Sequence, residues 1–225
     1  MRNAGIPGTY LPVRARSLAR RATPMPAVGT ARISVAWRLP EVMRGFGLEM
    51  REVLADVGLR ADLFGDRDNQ IAYPDLGHLL ATCERRTRCD HISLLVCQRS
   101  RLEDLGLAGR AALCGETVGE GLRALVRHFN LLSNAALVCL VTDAPYARFV
   151  FAIHEPDMLE TRPLQAGALA TAHNVVQQLC GPEWSPAAVT FAMHRPVNLR
   201  PFQQFFRAPL RFDSEDREVS NNVPV

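Results

Sequence analysis

Residues 117–153 read TVGEGLRALVRHFNLLSNAALVCLVTDAPYARFVFAI, and a change of period inside this stretch decides the fold class. Thr117-Val118-Gly119-Glu120 matches a capping box, in which Thr and Glu each satisfy a free backbone N–H at a helix start. The helix it opens places Leu122, Leu125, Val126, Phe129 and Leu132 on one side. From Ala136 to Thr142 the chain turns β-rich. Asp143-Ala144-Pro145-Tyr146 reads as a turn, with Pro where its preset φ is wanted. Phe149, Phe151 and Ile153 then alternate with Arg148, Val150 and Ala152, the period of two that marks a strand. The two β segments pair as an antiparallel hairpin.

Downstream, a long helix is expected from about Thr161 to Cys180, with Leu164, Ala168, Ala172, Val175, Val176 and Leu179 inward. Gly181-Pro182 ends it in the usual order of glycine, then proline. Ala188–Met193 reads as a third strand and Leu210–Phe212 as a fourth. Between them Asn198 caps a short helix bearing Phe202, Phe205 and Phe206. Upstream, order begins near Leu39-Pro40-Glu41. Val42, Phe46, Met50 and Val53-Leu54 recur at helical spacing, split by Gly45 and Gly47 into two short helices, with Gly58 as a stop. Pro74 opens a helix at its first turn, where a missing N–H costs nothing, and Leu76, Leu79, Leu80 and Cys83 give it one apolar face. Further helices carry Ile92, Leu94, Leu95 and Cys97, and run near Leu105–Leu113. The order predicts an α+β fold: N-terminal helices, then a small, mostly antiparallel sheet packed with helices. No internal repeat is present.

All 26 basic residues are arginine, and their placement is uneven. Residues 1–40 hold seven arginines and no acid, so the other 19 face all 23 acids over residues 41–225, a net of −4 against +3 for the whole chain. That weakens a reading as a basic nucleic-acid-binding domain, where positive charge clusters on the folded part. An arginine-tail nucleic-acid binder remains an option, and it predicts DNA retention that is lost without residues 1–38. The same residues are rich in Pro and Gly and show no period, which reads as a disordered extension or as a misplaced start with Met25 or Met43 as the first residue. A transit peptide fits less well, because Ser is scarce and no amphipathic face is clean. The longest apolar run, Ala135 to Val141, is far shorter than a membrane helix requires. No secretory signal is visible, so the six cysteines are expected as reduced thiols in a cytoplasmic protein.

Several constellations invite chemistry. Cys83, Cys89, His91 and Cys97 have zinc-ligand chemistry, but their spacings of x5, x1 and x5 lack the tight pairs that wrap one ion. Cys83 and Cys97 also lie on apolar helix faces, where free Cys behaves as a small hydrophobe. Asp66-Arg67-Asp68-Asn69-Gln70 fails as a calcium loop, since positions six and twelve are Ile71 and Gly77. Gly115, Gly119 and Gly121 follow no strand and precede no Lys, so they read as a flexible helix entry rather than a phosphate cradle. No Gly-x-Ser-x-Gly elbow occurs. His154-Glu155-Pro156-Asp157 offers acid–base groups in a loop, without a partner nucleophile. His78, His128 and His173 sit on helices and read as packing or surface, and Asp213-Ser214-Glu215-Asp216 as a solvated run. Trp184 with Phe202, Phe205 and Phe206 reads as core, with an apolar ligand pocket as the alternative.

Longer strings carry a resemblance. They are Leu105-Gly106-Leu107-Ala108-Gly109-Arg110, Thr117-Val118-Gly119-Glu120-Gly121-Leu122, Arg127-His128-Phe129-Asn130-Leu131-Leu132-Ser133, Leu179-Cys180-Gly181-Pro182-Glu183-Trp184-Ser185-Pro186 and Phe205-Phe206-Arg207-Ala208-Pro209-Leu210-Arg211-Phe212-Asp213. In this order and spacing, over about residues 39–219, the chain resembles the N-terminal effector domain, of the arabinose-binding type, of AraC/XylS transcription regulators. The resemblance implies a bacterial, cytoplasmic, non-enzymatic regulatory domain that binds an unknown small-molecule effector and dimerises, with itself or with a full-length regulator. It implies no cofactor, no metal, no catalytic residue and no identified ligand residues. The match fades after Glu218-Val219, where relatives continue into a helix-turn-helix domain, and Ser220–Val225 reads as a tail. The expectation is therefore a regulator truncated before its DNA-binding domain, or a free-standing sensor, with no direct DNA contact. The runner-up is a small metal-binding or Cys/His-dependent enzyme built on Cys83, Cys89, His91, Cys97 or His154.

Overall fold

The computed structural model describes residues 28–143, 146–155, 158, 160–213 and 218–224. The elements are β1 (Thr30–Arg32), α1 (Leu39–Gly45), α2 (Met50–Asp56), β2 (Gln70–Ala72), α3 (Tyr73–Thr87), α4 (Ile92–Cys97), α5 (Gly106–Leu113) and α6 (Val118–His128), then β3 (Ala136–Asp143), β4 (Tyr146–Ile153), α7 (Arg162–Cys180), β5 (Val189–Thr190), α8 (Arg200–Phe206), β6 (Leu210–Arg211) and β7 (Glu218–Pro224). The fold is α+β. β1 and β2 form a small antiparallel ribbon, and the main sheet has the order β3-β4-β7-β5-β6. Within it β5 and β6 are parallel and the other pairs antiparallel.

α7 organises the molecule. Residues from Pro163 to Val176 are buried almost all round it, as expected of a helix enclosed by protein on every side. It touches α3, α4, α6, β4 and β7. Its buried polar side chain Asn174 donates to the Cys97 carbonyl at 2.9 Å and so satisfies a free acceptor at the end of α4. The Leu102 N–H donates to Gln178 Oε1 at 3.0 Å. Gly167 makes the α4–α7 approach close, since a Cβ there would lie 3.2 Å from Cys97 Sγ. Ion pairs of Arg162 with Glu84 and of Arg85 with Glu160 (3.3 Å) tie the approach to α7 and its first residue to α3. Gly181, with φ of +97°, ends the helix.

The hairpin forms in the expected register, from Ala136 opposite Ile153 to Asp143 opposite Tyr146. Ala144 and Pro145 of the expected turn lie outside the described residues. Only half of the capping box closes as expected. Thr117 Oγ1 accepts from the Glu120 N–H at 3.2 Å, but Glu120 Oε2 accepts from the Glu116 N–H at 2.9 Å, one residue before the cap. Gly121 is not there for flexibility: a Cβ would lie 2.7 Å from the Ala112 carbonyl oxygen, so glycine lets α5 and α6 meet. Asn198 Oδ1 accepts from the Arg200 N–H at 3.2 Å and opens α8. The third strand is short, yet Phe191 N–H to Arg211 O (2.8 Å) and Asp213 N–H to Met193 O (3.1 Å) carry its pairing onward.

Two expectations are corrected at the chain's ends. Residues 28–38 are not part of a disordered extension. Ala31 and Ile33 are buried, β1 pairs with β2, and the Arg32 N–H donates to the Leu132 carbonyl at 2.8 Å. The period is too short to register locally, and the partner lies about forty residues away. Residues 1–27 of the expected extension lie outside the described residues. Nor are residues 220–224 a tail, because β7 is the central strand of the main sheet, between β4 and β5. Its Asn and Pro content disfavours a strand on propensity, and pairing on both sides overrides that. Pro224 stands at the strand's last position, opposite Tyr146 at the start of β4, so the N–H it lacks interrupts no pairing further along.

The aromatic residues of α8 are core. Phe202 and Phe206 are fully buried, and Phe191 meets them edge-on at 5.8 and 5.7 Å and stacks on Phe212 at 4.9 Å. His173 of α7 joins this cluster, its ring 4.9 Å from Phe205 and 5.5 Å from Trp184. Its Nδ1 has no partner among the described residues. Burial, reinforced by the positive charge of Arg207, lowers its pKa from 6.5 to about 4. The unfolded chain therefore binds a proton that the folded chain refuses between these values. The contribution of His173 to stability is fully present above about pH 6.5 and is lost toward pH 4, by up to about 3 kcal/mol. Glu84 acts in the opposite sense, because burial raises its carboxyl to about 7 and the folded chain there holds a proton that the unfolded chain has released. The two slopes oppose each other in urea midpoints, and His173→Leu removes its own slope of about one proton, so the variant gains on the wild type as pH falls from about 6.5 to 4.

Candidate ligand-binding site

The two hydrophobic clusters of the protein do not close completely on each other. One gathers the N-terminal helices, β5 and α8; the other gathers α5, α6 and the far half of α7. At their seam lies a cavity of about 110 Å³. α3 lines it with Tyr73, Leu76 and Leu80, and α6 with Leu125. Phe149 and Phe151 face it from β4, and Val138 from β3. Leu164, Gly167, Ala168, Thr171, Ala172 and Val175 of α7 form its longest wall. The period-2 pattern of the hairpin and the i, i+3, i+4 pattern of α7 aim these residues inward. Ala31, Val35 and Ala36 complete the wall, so the N-terminal segment that sequence periodicity missed closes the site.

Five polar side chains interrupt the apolar lining: Tyr73, Ser93, Cys97, Ser133 and Thr171. Ser133 Oγ is committed, donating to the Thr30 carbonyl at 2.9 Å and accepting from the Ala135 N–H at 3.1 Å. Cys97 Sγ donates to the Val35 carbonyl at 3.7 Å. Burial pushes its thiol up to about 11, against a smaller opposing pull from the Thr171 side chain. Burial likewise raises the Tyr73 phenol above its ordinary range. Both groups are neutral near pH 7, and among the described residues no Asp, Glu, Arg or His lines the cavity. Ser93 differs from the rest: it is 2% exposed, and its Oγ has no hydrogen-bond partner among the described residues.

The residues singled out from sequence lie elsewhere, with one exception. Cys97 borders the cavity, whereas Cys89 Sγ faces His91 Nδ1 at 3.6 Å and Cys83 is buried in the core. Among the described residues no three His, Cys, Asp or Glu side chains come together as a metal-holding group. Asp66–Asn69 is a turn leading into Gln70 of β2, pinned by Arg32–Asp68 (2.6 Å) and Arg67–Asp104 (3.0 Å). His154 is exposed, and Glu155 Oε2 accepts from the Gly29 N–H at 2.8 Å. Pro156, Asp157 and the run Ser214–Asp216 lie outside the described residues. His78 is exposed and bonds Glu160 at 3.0 Å, and His128 is half-buried. Trp184 and the phenylalanines of α8 do not line the cavity, which leaves them as core. A second, polar depression of about 150 Å³ beside β1 holds groups that already bond one another, such as Thr30 N–H to Asn134 Oδ1 at 2.6 Å.

An unpaired buried hydroxyl has given up water and gained nothing, so its removal stabilises. Ser93→Ala is expected to raise the stability of the purified protein by about 1 kcal/mol in urea denaturation. A loss of similar size would show that the hydroxyl has a structural partner.

The model of a family described as the N-terminal arabinose-binding domain of AraC transcription regulators matches residues 47–220. Among solved structures, the transcriptional regulator CdpR from Pseudomonas aeruginosa is similar at a TM-score of 0.53 and 17% identity, over 78% of this chain and 53% of that one. At this identity the likeness is one of fold, and this chain spans about half the length of that regulator. No curated protein matches. The family match takes in both wings of the cavity, the α3–α4 wall and the hairpin with α7, and this chain belongs to the family of N-terminal arabinose-binding domains of AraC transcription regulators.

Proposed function

We propose that this chain is the effector-sensing and dimerisation part of an AraC-type transcription regulator, working in the cytoplasm by binding rather than by catalysis. The observation that carries the reading is the cavity at the seam of the two clusters, apolar, neutral and bordered by an unpartnered hydroxyl. No helix among the described residues is long and apolar enough to cross a membrane. The sensing unit in this reading includes residues 28–38, because Ala31, Val35 and Ala36 wall the cavity. Contact with DNA is not assigned to this chain, whose residues 41–225 carry a net charge of −4 from 19 arginines and 23 acids.

Self-association is drawn from the hairpin. β3 is an edge strand of the main sheet, with Leu137 60% exposed and Val141 also exposed. The next residue after Leu137, Val138, lines the cavity. One strand thus touches both an effector and the surface where a second copy, or a regulator carrying the same domain, would pair. An effector that binds one arrangement of this strand better than another shifts the population toward it.

Ala168→Phe places a ring in the cavity. A thermal-shift screen of small metabolites is expected to find compounds that raise the melting temperature of the wild type and not of this variant. Sedimentation is expected to show a dimer at micromolar concentration and a monomer for Leu137→Glu. A wild type that stays monomeric at tens of micromolar removes dimerisation from the proposal.

A further inference from the structure

We infer that the cavity takes a small neutral molecule, mostly hydrocarbon, whose single hydroxyl or carbonyl group bonds Ser93, and that it takes neither a sugar nor a carboxylate. This rests on the reading of the cavity as the effector site.

Charge is the first argument. Among the described residues no ionisable carboxylate, guanidinium or imidazole borders the cavity, and its phenol and thiol are both held neutral by burial. A carboxylate or ammonium group would be desolvated there without a counter-ion, which ordinarily prevents its entry in charged form. Arabinose, named in the family's description, fails on a second count. It carries four hydroxyl groups and a ring oxygen, each of which needs a partner once it leaves water. The wall has little to offer them. Ser133 is doubly bonded and Cys97 is turned to Val35, which leaves the hydroxyls of Ser93, Tyr73 and Thr171 to meet five oxygens. Of these the Ser93 Oγ is wholly covered and has no partner among the described residues.

Size and position complete the description. About 110 Å³ is somewhat less than an engineered apolar cavity of about 150 Å³ that binds benzene, so the hydrocarbon part is no more than about one small ring. Ser93 sits in the first turn of α4, against α7, with its Cβ 3.6 Å from where a Cβ on Gly167 would be. A ligand placed between Phe149, Leu125 and Val175 with its polar group toward Ser93 gives that hydroxyl a partner once the side chain turns from its covered position, and it leaves the bonds of Ser133 and Cys97 intact. A compact alcohol, ketone or phenol has this shape.

Isothermal titration of the full chain with cyclohexanol, phenol, methylcyclohexane, L-arabinose and benzoate tests the assignment. Cyclohexanol and phenol are expected to bind, and Ser93→Ala to weaken both by roughly three- to tenfold, a single hydrogen bond's worth. Methylcyclohexane should bind wild type and Ser93→Ala alike, and arabinose and benzoate should not bind. Nuclear Overhauser contacts from cyclohexanol to the Leu76, Leu125 and Val175 methyls locate the probe in the wild type, independently of how any variant folds. Contacts elsewhere, or binding that survives Ala168→Phe, would overturn the cavity as the site. Arabinose or benzoate contacting those methyls would overturn the ligand class and leave the cavity standing. Equal affinity of wild type and Ser93→Ala for cyclohexanol, or no binding of any neutral probe, also overturns the class.

Discussion

Enclosure of α7 is the constraint on which the rest depends. A nineteen-residue helix buried nearly all round cannot stand alone in water. It must be covered on every side, and α3, α4, α6 and the β4–β7 pair supply the cover. Its polar positions are consistent with that role. Asn174 closes the free end of α4, Gln178 receives the N–H of Leu102, and His173 gives up its proton to join an aromatic cluster. Where α7 comes close to Cys97 of α4, Gly167 stands.

The cover is complete except at the seam of the two clusters, and the residual space is lined with unlike chemistry. Well-packed interiors leave few voids and few unpaired polar atoms. Here a void and an unpaired hydroxyl coincide at Ser93. Coincidence of two costs at one place is what a binding site looks like when stability has been traded for function. The neutrality of the walls then narrows the chemistry further than the family's description does.

Elements held by local rules were legible in the residues. The capping Thr117, the split at Gly45 and Gly47, the alternation in β4 and the Gly181 stop all depend on neighbours within a few positions. Elements held by distant partners were not. β1 needs β2 across about forty residues, and β7, with its two asparagines and a proline, is a strand because β4 and β5 flank it. The phenylalanines of α8, read as core with a pocket as the alternative, are core, while the cavity assembled from leucines, alanines and small polar residues that no motif marks.

Residue order and chemistry therefore settled the α+β class, the helix faces, the hairpin and the family, since each rests on periods and turns that a few adjacent residues enforce. The three-dimensional arrangement decided where the cavity lies. A cavity belongs to no single segment: β1, the turn after it, α3, α4, α6, the hairpin and α7 each contribute a wall. Whether Ser93 is a satisfied helix serine or an orphan at the border of that space depends on what those segments bring within about 3 Å of it, which only packing determines.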